Sequence, residues 1–149
     1  MSIKIEILPK YRIAYVRQVG PYGSANVQTM QKLKQWATAK NLLSQTSVIV
    51  GISHDNPETT LPENCRYDAG IVISDNAQID ELVSENKLPG GKYAIYKVKH
   101  TAEDLQKAWS EIFYELAHRG YQIDERPIFE RYIGSMVSNH YCEICVPIK

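Results

Sequence analysis

Among the residues able to do chemistry, one acid is set apart by its surroundings. Glu130 lies in Pro127-Ile128-Phe129-Glu130-Arg131-Tyr132, near the C-terminus. The run reads as a strand: a proline opens it, and aromatic and β-branched residues follow. Side chains alternate across a strand, so Ile128, Glu130 and Tyr132 share one face, while Phe129, Arg131 and Ile133 share the other. Glu130 is thus flanked by an aliphatic and an aromatic neighbour. A carboxylate so placed is either solvated on an open face or lines a pocket suited to a cation.

The other reactive groups form weaker patterns. His54-Asp55-Asn56-Pro57 sets a base beside an acid, but Asp before Asn-Pro is also ordinary turn chemistry. His54 is therefore expected as a contact at the rim of a pocket or as a turn residue. Cys142 and Cys145 make a C-x-x-C within a strand-like run, whereas redox pairs sit at helix starts. A zinc site would need two more ligands, of which His140 supplies one, so no metal site and no cofactor is expected. Cys65, Cys142 and Cys145 read as reduced thiols of a cytoplasmic protein. No Ser-His-Asp order, phosphate loop or H-E-x-x-H is present.

Composition narrows the partners. The 149 residues carry 17 Lys plus Arg and 17 Asp plus Glu, so there is no surplus charge to drive non-specific nucleic-acid binding. No stretch approaches the ~20 apolar residues of a membrane span. Hydrophobic residues make up 44%, adequate for one domain's core. Ten tyrosines against two phenylalanines suit a surface that is part apolar and part wet, such as a ligand cleft.

The elements that must position these groups recur. Residues 3–8 and 11–19 alternate as strands, Gly20-Pro21-Tyr22-Gly23 turns, and Ser24 is a plausible cap for a helix over 25–40. Strands follow at 48–53 and 66–74. Residues 75–87 are polar, with a short helical piece expected around Ile79–Val83. After the hinge Leu88-Pro89-Gly90-Gly91, a strand over 92–100 precedes a helix capped by Thr101 and striped with Leu105, Trp109, Ile112, Phe113 and Leu116. Closing strands fall at 127–133 and 141–148. The expected fold is therefore α+β: two strand–helix–strand–strand modules, about 1–75 and 90–149, in a single domain spanning 1–149. They would share one mostly antiparallel sheet, with two main helices and a central cleft at the joint. Tyr93 starts the second module near that joint and is placed to line the pocket. Trp109 and Phe113 read either as core or as cleft wall.

In order and spacing, Gly20-Pro21-Tyr22, Trp36-Ala37, Gly51-Ile52-Ser53, Cys65-Arg66-Tyr67-Asp68-Ala69, Leu88-Pro89-Gly90-Gly91-Lys92-Tyr93-Ala94, Gly120-Tyr121, the Glu130 run and Val146-Pro147-Ile148 resemble the GyrI-like small-molecule-binding domain. That family includes DNA gyrase inhibitory proteins and the effector-binding domains of AraC- and MerR-type regulators. One departure is His100-Thr101-Ala102, where many relatives have Gly-Pro. The resemblance implies that Glu130 and Tyr132 are the family's E-x-Y pair, which holds a cationic, often planar, aromatic drug. Tyr93, Trp109, Phe113, Tyr67 and His54 are the further candidate ligand contacts, Trp109 and Phe113 because the family's helix can wall the cleft. The implied function is multidrug-type binding that sequesters a toxin or modulates a partner, DNA gyrase being the named candidate. A helix-turn-helix beside the domain is not expected at this length. The alternative implied by some family members is hydrolysis of strained electrophilic cytotoxins, with Glu130 activating a water.

Overall fold

The computed structural model describes residues 1–134 and 140–149. The strands are β1 (Ile3–Leu8), β2 (Tyr11–Val19), β3 (Val48–Ser53), β4 (Arg66–Ile73), β5 (Ser84–Leu88), β6 (Gly91–Lys99), β7 (Phe129–Ile133) and β8 (Tyr141–Pro147). The helices are α1 (Ser24–Ala39) and α2 (Ala102–His118). All the strands join one sheet in the order β1-β6-β8-β7-β3-β4-β2-β5, with every neighbouring pair antiparallel. The class is α+β, and the sheet is curled into a half-barrel.

The order reads the same from either end. β2, β3 and β4 on one side match β6, β7 and β8 on the other, and β3 meets β7 at the centre. The edge strands are exchanged: β1 precedes β2 in the chain but pairs with β6, and β5 precedes β6 but pairs with β2. Residues 84–88 thus form a strand where the sequence suggested only a polar linker. Ser84-Glu85-Asn86-Lys87 are all exposed, so no buried face imposes an apolar period on them. Their pairing comes from β2, and Arg12 donates to Glu85 across the pair at 2.9 Å.

Alternation along the strands builds two apolar layers. One packs Leu33, Trp36 and Ala37 of α1 and Ala108, Ile112 and Leu116 of α2 on Ala69, Ile71, Tyr132 and Ile144 of the sheet. The other contains strand residues alone, among them Ile13, Val50, Ile52, Tyr93, Ile95 and Phe129, and the sheet's own curl buries it. Cys142 lies in the first layer and Cys145 in the second. Three residues apart on a strand, their side chains point to opposite faces and cannot bond to one another.

The turns before the helices are set by local groups. Gly20, at φ 144°, donates its N–H to Cys65 O at 2.8 Å, and the Tyr22 hydroxyl donates to Arg66 O at 2.8 Å. The Gly-Pro-Tyr turn is therefore tied to the start of β4. Gly23 is the N-cap of α1, and Ser24 is its first helical residue. Thr101 caps α2: its Oγ1 accepts from Asp104 N at 3.1 Å and donates to the Asp104 carboxylate at 2.6 Å.

Candidate ligand-binding site

Glu130 sits on β7 beside the centre of the sheet, opposite Gly51 of β3. Period-2 alternation turns it to the helix side with Tyr132. It sends its sequence neighbour Arg131 to the other side, where Arg131 pairs with Glu143 at 2.9 and 3.0 Å. The nearest cation in the sequence is thus committed elsewhere.

Both Glu130 oxygens accept hydrogen bonds. The Tyr132 hydroxyl donates to Oε2, and the Trp109 indole N–H of α2 donates to Oε1 at 3.1 Å. These donors are neutral: they orient the carboxylate without cancelling its charge. The charge is felt nearby. Burial first, then the negative charge of Glu130, pushes the Tyr132 and Tyr67 hydroxyls far above the ordinary tyrosine value. The Cys142 thiol is pushed up to about 12 by burial and then by Glu130. Among the described residues, no cation takes part in any of these three shifts.

Above the acid is a cleft of about 370 Å³, within the ~300–1,000 Å³ range of small-molecule sites. Ser53, Tyr67, Glu130 and Tyr132 line it from the sheet, and Val27 and Met30 bring apolar surface from α1, with Asn26, Gln31 and Lys34 beside them. His100 also lines it, its ring edge-on to Tyr132 at 5.1 Å. A second hollow of about 310 Å³ adjoins the far end of α1, and among the described residues Lys34 is its one ionisable lining residue. The chemistry therefore lies in the cleft over Glu130.

Gly51 makes this arrangement possible. A Cβ there would stand 2.8 Å from the Tyr67 hydroxyl, so the ring of Tyr67 occupies the space a side chain would fill. An isolated glycine in an apolar strand often marks such a close approach, and it was the signal in the sequence for this contact.

Of the residues singled out from the sequence, Glu130, Tyr132 and Tyr67 meet in the cleft, and Trp109 touches the acid directly. Phe113 stands behind Trp109, ring centroids 6.2 Å apart, and is partly exposed. Tyr93 is not brought to the cleft. It is fully buried in the other layer against Phe129, and its hydroxyl donates to Pro89 O at 3.0 Å. His54 also turns away: its Nε2 lies 2.7 Å from Asp68 Oδ2, and Arg17 holds the same carboxylate at 2.7 and 2.9 Å. The α1 residues were missed, because helical periodicity marks the core-facing stripe but not which flank of it borders an opening, and His100 was missed because it lies in the turn between β6 and α2, where no period places a side chain.

A domain model described as GyrI-like small molecule binding domain matches residues 1–149. The chain belongs to that family. It is similar to the SPbeta prophage-derived protein YosT of Bacillus subtilis (strain 168), provisionally named a transcriptional regulator, at 42% identity covering 100% of both chains. It is similar to a DNA gyrase inhibitor of Serratia proteamaculans (strain 568) at 29% identity, covering 97% of this chain and 94% of the relative. Among solved structures, SAV2435 bound to tetraphenylphosphonium shares the fold with a TM-score of 0.63 at 14% identity, covering 100% of this chain and 94% of that one. No helix among the described residues is long and apolar enough to cross a membrane.

Proposed function

We propose that this chain binds cationic, flat aromatic small molecules, which it takes up in the cleft over Glu130. The observation that carries the reading is the carboxylate held only by neutral donors, Trp109 and Tyr132. Neither donor brings an opposing charge to the acid, and a cation with a π-face answers both the carboxylate and the apolar and aromatic walls around it. The ligand of SAV2435, tetraphenylphosphonium, shares the positive charge and the aromatic rings, though its four rings are arranged tetrahedrally rather than in one plane.

Glu130→Gln tests the reading. Fluorescence titration with a cationic planar dye should show affinity falling by about 2 kcal/mol or more, the scale for removing one partner of a desolvated charge pair. A neutral dye of the same shape should bind within a few-fold of wild type, and the melting temperature should hold or rise slightly. Equal losses for both dyes would mean a damaged fold, and no loss for either would remove Glu130 from the site.

A second reading, modulation of DNA gyrase, is favoured by the name of the Serratia relative. Supercoiling by purified gyrase should fall in a dose-dependent way as the protein is added. An unchanged rate at a large molar excess rejects it.

A further inference from the structure

β1 is the outer strand at one edge of the sheet, hydrogen-bonded to β6 on its inner side. Among the described residues, nothing pairs with its other side. Natural edge strands are commonly protected by charge on the exposed row, prolines or bulges, because an open row of backbone groups invites pairing. β1 has an isoleucine row instead. Ile3, Ile5 and Ile7 share a face, with Ile5 40% and Ile7 73% exposed. Lys4 and Glu6 share the opposite face, 3.3 Å apart.

This strand is complementary to itself. Laid antiparallel to a second copy about Ile5, it places Ile3 opposite Ile7, Ile5 opposite Ile5, and Lys4 opposite Glu6. The row on one face is then wholly aliphatic, and both cross-strand pairs on the other are of opposite charge. Both kinds of pair stabilise antiparallel strands, and a twofold axis through Ile5 makes the contact isologous, so it closes as a dimer. We infer that β1 is a homodimer interface, joining two sheets edge to edge into one continuous sheet.

The other edge does not offer the same contact. β5 could also set Glu85 against Lys87, but Ser84 and Asn86 alternate with them, so little apolar surface would leave water. Charge permits pairing at both edges, and the aliphatic row selects β1. The contact is a single short strand pair, smaller than a standard interface of ~1,600 Å², so the dimer is weak, with dissociation in the micromolar range.

Sedimentation velocity from 1 to 300 μM tests this. Wild type should move from monomer to dimer over the range. Lys4→Glu, at a side chain 70% exposed, sets like charges opposite in both pairs and should weaken dimerisation about tenfold or more. Ile7→Lys should weaken it comparably, and Lys87→Glu on β5 should leave it unchanged. Melts of the three variants should match wild type. Mixing Lys4→Glu with Glu6→Lys should restore a dimer, since each supplies the charge the other needs. Should Glu6→Lys fail to fold for want of its contact with Arg131, 3.7 Å away, Lys4→Glu and Ile7→Lys decide the matter. A wild type monomeric at 300 μM overturns the inference. So does a dimer insensitive to both β1 variants, or one broken by Lys87→Glu.

Discussion

The contact between Gly51 and Tyr67 carries much of the cleft's shape. Gly51→Ala would bring a methyl to 2.8 Å from the Tyr67 hydroxyl and 3.3 Å from its ring. Both residues lie in a packed sheet, so overpacking should cost about 1–3 kcal/mol. The displaced ring should also weaken binding of a cationic dye, since Tyr67 lines the cleft beside Glu130. The double variant Gly51→Ala/Tyr67→Phe removes the atom in closest conflict and should recover part of the stability. Thermal melts of the two variants check this, and no difference between them would mean the sheet itself yields instead.

At the scale of elements, the charged groups outside the cleft join strands. Asp68 on β4 is 1% exposed, and Arg17 of β2 and His54 after β3 both hold its carboxylate. Burial by itself would raise its pKa, but the hydrogen bonds from Arg17 and His54 outweigh burial and hold it below the ordinary aspartate value. A carboxyl depressed on folding adds stability that is present above its unfolded pKa and is lost as pH falls through the folded one. Asp68→Asn should therefore cost about 3 kcal/mol at pH 7, the scale for breaking a buried pair. The gap to wild type should narrow below about pH 4, where the carboxyl of the unfolded wild-type chain begins to protonate while the folded one is still ionised. Urea unfolding at pH 7 and at pH 3 measures both. A gap that stays constant would show that the pair contributes no charge-dependent stability.

For the whole molecule, the exchange of edge strands matters most. Each half of the sheet is completed by a strand that lies before the other half in the chain, so neither half can open alone without losing an edge. The thiols report on this, because Cys65 lies in the first half and Cys142 and Cys145 in the second, all buried and free. Burial first of all pushes the thiols of Cys142 and Cys145 up to about 12, so at neutral pH they present almost no thiolate. Alkylation in rising denaturant should label all three within one transition, at a midpoint matching that of far-UV circular dichroism. Labelling of Cys65 well before the other two would mean that the halves unfold separately.

Local chemistry made much of this legible from the residues alone. Alternation or a short apolar run marked β1 to β4 and β6 to β8, and period-2 geometry put Glu130 and Tyr132 on one face and separated Cys142 from Cys145. Thr101 ahead of Asp104 signalled the start of α2. These features depend on residues within a turn or a strand of each other, so a short window contains their cause. Other features are decided between residues far apart. β5 has no apolar period of its own and is a strand because β2 pairs with it. Tyr93 lies in the strand-only layer because β6 presents that side to Phe129 and Cys145. His54 is drawn to Asp68, fourteen residues on, and Trp109 reaches Glu130 across twenty-one. Sheet register and the curl that buries one face set those distances, and both are properties of the assembled sheet, not of any segment within it.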